Sequence, residues 1–89
     1  MAGVESKMQT KIKKELQSNG WKVIKTILLS ESGHADLFCF KDGRTVFLEI
    51  KATNGVESEL QKYRQKEMMS YGFTYEFIRS LEQFKELNL

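Results

Sequence analysis

The chain has no proline, and only one cysteine, one histidine and one tryptophan, among 89 residues. Without proline there is no proline-rich linker. No internal repeat or low-complexity stretch breaks the sequence either, so nothing marks a boundary and one domain spanning residues 1–89 is expected. A lone thiol forms no disulfide within the chain, and Cys39, inside an apolar run, reads as core. A single histidine excludes a zinc site of the usual nitrogen and sulfur type. No apolar run approaches the roughly 18 residues a spanning helix needs, and the amino terminus lacks the apolar segment of a secretory signal. The expected setting is therefore cytoplasmic, with no membrane partner. An excess of one charge is missing too: 14 basic against 12 acidic residues leave +2, which permits nucleic-acid binding without arguing for it.

What is present is an ordinary globular composition, 40% hydrophobic and 29% charged, with a mean hydropathy of −0.45. A chain of this length buries roughly 60 to 65% of its unfolded surface, so self-association would add to its core.

The most informative segment runs from Gly33 to Lys51. Asp42-Gly43, between the apolar runs Leu37 to Phe40 and Val46 to Ile50, is a strong hairpin signal. A two-residue loop fixes the register: Lys41 faces Arg44, Cys39 faces Val46, Phe38 faces Phe47, and Asp36 faces Glu49. Like charges directly opposite one another are destabilising, so something should compensate, and a divalent cation between the two carboxylates would do so. Alternation puts Thr45, Phe47, Glu49 and Lys51 on one face and Val46, Leu48 and Ile50 on the other. Large apolar side chains on both faces imply a sheet covered on each side.

Around this hairpin, residues 4–18 read as an amphipathic helix ended by Asn19-Gly20, with Glu5 in line with Met8, Ile12 and Leu16. Lys7, Lys11 and Lys14 cluster on its other side, as a solvated face or as phosphate contacts. Trp21 to Leu29 reads as a first strand, with Ile27 and Leu28 among its apolar members, and Ser30 to His34 as a polar connection. Asn54-Gly55 marks a turn. Glu57 to Tyr71 reads as a helix capped by Gly72, with Glu57 and Glu59 at its positive end. Phe73 to Ile78 is a fourth strand and Leu81 to Leu87 a last short helix. Met68, Met69, Tyr71, Phe73, Tyr75 and Phe77 are expected to lie mostly in the core, and their excess points to a symmetric dimer.

The order is helix, three strands, helix, strand, helix. With Gly33-His34-Ala35-Asp36, then Glu49-Ile50-Lys51, then Gln61, it resembles the PD-(D/E)xK active site in its VRR-NUC form, within the restriction-endonuclease-like superfamily. The resemblance covers nearly the whole chain. Ala35 stands where that family often has proline. The resemblance implies an α/β fold, a small mixed sheet flanked by helices, and a metal-dependent endonuclease hydrolysing DNA phosphodiester bonds. Its implied site is Glu5, Asp36, Glu49, Lys51 and Gln61. Asp36, Glu49 and the backbone carbonyl of Ile50 would hold Mg²⁺ or Mn²⁺, with Glu5 an outer ligand. Lys51 would orient water or neutralise charge on the phosphate, or else act as base. Gln61 would position a phosphate or water, if it is not simply a solvated helix residue; His34 reads as a loop residue near the site.

The family's smallest stand-alone members imply a homodimer acting on branched DNA in the manner of Holliday-junction resolvases, in a bacterial or phage-infected cell and a DNA repair setting. Two rivals are a non-catalytic nucleic-acid-binding module on the same fold and a structural or interaction module whose acidic hairpin end merely faces solvent.

Overall fold

The computed structural model describes residues 3–89. Its elements are α1 (Val4–Ser18), β1 (Lys22–Lys25), β2 (Leu37–Lys41), β3 (Arg44–Ile50), α2 (Glu59–Ser70), β4 (Thr74–Ile78) and α3 (Leu81–Glu86). The strands form one sheet in the order β1-β2-β3-β4, antiparallel except for the parallel β3–β4 pair. The mixed sheet and the order of elements match the expected α/β architecture.

Local chemistry fixes the hairpin. Asp42 and Gly43 both have positive φ, 50° and 78°, the backbone that lets a two-residue loop follow the strands' twist. The ladder runs from Lys41↔Arg44 to Leu37↔Leu48. Continued by one residue, this register sets Asp36 opposite Glu49, as expected.

Val46, Leu48 and Ile50 pack with Leu37, Cys39, Ile78, the α1 residues Met8, Ile12 and Leu16, and Phe84 of α3 in the main core. Ile12 and Leu16 are fully buried, each contributing about 1.5–3 kcal/mol of apolar transfer. On the other face Ala35, Phe47, Tyr75 and Phe77 form a smaller cluster, with Phe38 and Met68 of α2 against it. Both faces are thus covered, the second more thinly.

Four expectations need correction. The first strand stops at Lys25, not Leu29: Thr26 still donates its N–H to the Asp36 carbonyl, but the chain then leaves the sheet. Ile27 and Leu28 are consequently 91% exposed and are not strand core. The second long helix starts at Glu59 rather than Glu57, because Ser58 and Gln61 form a reciprocal capping box. Glu57 lies outside the helix and pairs with Arg79 instead. Finally, of the six methionine and aromatic residues expected mostly in the core, Tyr75 and Phe77 are buried, whereas Met69, Tyr71 and Phe73 are exposed.

Candidate metal centre

Three chain segments meet where β3 ends. Asp36, the residue before β2, accepts the Ile50 N–H on Oδ2 at 2.9 Å, so its carboxylate is tied to the backbone beside Glu49. Its own backbone is fixed by Thr26, whose N–H donates to the Asp36 carbonyl at 2.8 Å and whose hydroxyl donates to the Ala35 carbonyl, also at 2.8 Å. Glu49 is held on the central strand β3, paired to β2 on one side and β4 on the other. Glu5, in the first turn of α1, reaches across to accept the Ala52 N–H on Oε1 at 2.9 Å. Lys51 follows β3 and donates its N–H to the Ile78 carbonyl at 2.8 Å.

Glu49 is 6% exposed. Burial pushes its carboxyl up to about 8; the charge of Asp36 and a hydrogen bond with it act in the same direction, Lys51 opposes, and Glu5 adds repulsion. Asp36, Lys51 and Glu5 thus all act on Glu49, four of the sequence-expected residues within one charged neighbourhood at the end of β3. A buried acid with an acidic partner, and only one partly exposed lysine offsetting it, is a donor set suited to a hard dication. Asp36, Glu49 and the outlying Glu5 fit Mg²⁺ or Mn²⁺ by their oxygen chemistry.

Gln61 is placed differently. Its side-chain oxygen accepts the Ser58 N–H at 3.0 Å while its own N–H donates to the Ser58 hydroxyl at 3.1 Å, so its amide oxygen serves the start of α2. At Ile50 it is the N–H, bonded to Asp36, that is engaged in the site.

A second group was not read from the sequence. Among the described residues, ligand atoms of Glu31, His34 and Glu67 lie within 4.8 Å of one another. The imidazole Nε2 of His34 is 3.0 Å from Glu31 Oε1, and Arg64 sits on both acids, 3.1 Å from Glu67 and 3.9 Å from Glu31. Arg64 Nε also donates to the Ser32 carbonyl at 2.9 Å. The hydrogen bond with His34, then the charge of Arg64, hold the Glu31 carboxyl below its usual range. This cluster already has its cation. It joins residues about thirty positions apart, a separation no local pattern signals.

Tyr75 was read only as a core aromatic. It is 2% exposed, and its hydroxyl has no hydrogen-bond partner among the described residues. Burial raises its phenol, and the charges of Glu49 and Asp36 raise it further.

No family model matches the chain, and no curated protein matches it. A solved structure described as a VRR_NUC domain superposes with a TM-score of 0.87 at 24% sequence identity, over 97% of this chain and 95% of that one. The fold implied by the motif resemblance is therefore the fold observed.

Proposed function

We propose that the chain, as one domain of residues 1–89, is a metal-dependent DNA endonuclease that hydrolyses phosphodiester bonds. The observation that carries this reading is the Asp36–Glu49 pair: two carboxylates forced together at a strand end, one of them buried, in the fold of a VRR_NUC domain. Mg²⁺ or Mn²⁺, held by Asp36 and Glu49 with the Ile50 carbonyl and Glu5 as further oxygen donors, would acidify water and offset charge building on the scissile phosphate. Asp36 is held for this by Ile50 and Thr26, and Glu49 by the central strand. The Lys51 ammonium, already offsetting negative charge at Glu49, neutralises charge on the phosphate and orients the attacking water. Gln61, its amide oxygen committed to the cap, presents its amide nitrogen to a phosphate or water.

Beside these acids a groove of about 350 Å³ is lined by Lys7, Lys11, Thr53, Arg79 and neighbouring residues. Thr53 directly follows Ala52, whose N–H donates to Glu5, so the groove carrying these basic side chains adjoins the Glu5 end of the acidic group. That juxtaposition supports DNA as substrate, with phosphates in the groove. Branched DNA is the favoured form, because the described domain has little surface left to read base sequence beside the groove and the acidic centre. The exposed apolar side chains of Ile27, Leu28 and Tyr71 support a homodimer, whose twofold axis would give paired symmetric nicks. Action on DNA in a bacterial or phage-infected cytoplasm is the corresponding setting. No described helix is long and apolar enough to cross a membrane.

The test is cleavage of end-labelled four-way junction, flap and duplex DNA by the wild type and Asp36→Asn, each with Mg²⁺, Mn²⁺ or EDTA. Products that need metal and disappear in the variant are expected. DNA binding that survives EDTA, without cleavage under any condition, would replace this reading with a non-catalytic binding module.

A further inference from the structure

Glu49 and Tyr75 occupy one layer. In the parallel β3–β4 register Tyr75 pairs with Phe47 and Phe77 with Glu49, so alternation brings all four side chains to the same face of the sheet. Phe47 and Phe77 have only carbon to offer. Tyr75 brings a hydroxyl into this cluster, and within the described residues that hydroxyl has no partner although no solvent reaches it. Buried hydroxyls are normally hydrogen-bonded, and an orphan one asks for an explanation. Phenylalanine would fill the same space without the cost of desolvating an oxygen. The backbone here is also fixed, since Gln65 of α2 donates its side-chain N–H to the Tyr75 carbonyl at 3.0 Å. Burial raises the phenol first, and the charges of Glu49 and Asp36 raise it further.

We propose that Tyr75 is a positioning residue for the carboxylate pair: its hydroxyl donates to the Glu49 oxygen turned away from a bound dication and so fixes the side chain's orientation. The inference rests on the nuclease reading for the identity of the centre, and adds a residue to it. A carboxylate that binds a metal with one oxygen commonly has the other held by a donor, and loss of such donors typically costs about 10- to 100-fold in metal affinity or activity. Tyr75 is suited to that role because its hydroxyl is committed to nothing else within the described structure.

The experiment compares wild type, Tyr75→Phe and Asp36→Asn by calorimetric titration with Mn²⁺, by melting in EDTA, and by cleavage of labelled junction DNA. Tyr75→Phe is expected to melt at or above the wild-type temperature in EDTA, because an orphan hydroxyl has been removed, yet to bind Mn²⁺ about 10-fold more weakly or worse. A side chain that only packs would not separate the two readouts. Wild-type Mn²⁺ affinity in Tyr75→Phe overturns the proposal. If the wild type binds Mn²⁺ through Asp36 but cleaves nothing, the affinity readout still decides the role of Tyr75 and only the nuclease reading falls. If Asp36→Asn binds Mn²⁺ as the wild type does, the centre lies elsewhere and the proposal falls with it.

Discussion

Glu31 and Glu49 are the same side chain in two acid-rich clusters, and their carboxyls are displaced in opposite directions. Glu31 is exposed, bonded to His34 and close to Arg64, and is held below the ordinary carboxylate range. Glu49 is buried against Asp36 with Glu5 nearby, and is pushed up to about 8. The Glu31, His34 and Glu67 atoms form the tighter group, yet Arg64 already pairs with both acids. Compactness alone therefore does not single out the second cluster as a metal centre. An acid satisfied by its own chain is a strut, whereas an acid kept uncomfortable by the fold is one that binding can relieve.

The sharpest way to break the comparison is to neutralise each cluster in turn. Asp36→Asn and Glu49→Gln should each lower cleavage at least about 10²-fold, while Glu67→Gln should change it less than about twofold; gel assays of labelled junction DNA decide. Lys51→Ala should also lose about 10²-fold in cleavage while keeping Mn²⁺ affinity largely intact, checked by titration alongside turnover.

The pH dependence separates the clusters in stability. Glu49 in the folded state holds its proton more tightly than in the unfolded chain, so without metal the fold is favoured at low pH and loses stability as pH rises from about 4.5 to about 8. The loss is on the order of a few kcal/mol, and Glu49→Gln should flatten it in urea melts run in EDTA across that range. Glu31 runs the other way: its contribution is present above the ordinary carboxylate range and fades as pH falls through its lowered value, so Glu31→Gln should weaken the fold slightly at neutral pH and not at acid pH. The segment joining the clusters carries a steric test. Gly33 has φ +84°, and a Cβ there would stand 2.6 Å from Leu60 Cγ, so Gly33→Ala should cost about 1–3 kcal/mol by denaturant melt and loosen the segment before Asp36.

The elements legible in advance were those specified by local chemistry. Asp42-Gly43 fixed the register that sets Asp36 against Glu49, and the spacing of Met8, Ile12 and Leu16 located α1 and its buried stripe. Ile27 and Leu28 misled because an apolar pair carries no record of where a strand leaves its neighbour; the departure after Thr26 depends on how far the segment before Asp36 extends. The start of α2 was misplaced at Glu57 although Ser58-x-x-Gln61 carries the capping box that sets it, and Glu57 was assigned to the helix dipole when its partner was Arg79, 22 residues away. Arg64 over Glu31 and Glu67, and the buried Tyr75 hydroxyl left without a partner among the described residues, depend on tertiary packing of α2 and β4 and leave no periodic trace. Of the site itself, Asp36, Glu49, Lys51 and Glu5 are brought into one charged neighbourhood, whereas Gln61 caps a helix.

The most direct measurement is anomalous scattering from crystals soaked in Mn²⁺. A manganese peak is expected between the carboxylates of Asp36 and Glu49, and none at Glu31, His34 and Glu67, where Arg64 already stands. A peak in the second cluster, with none at the first, would contradict this placement.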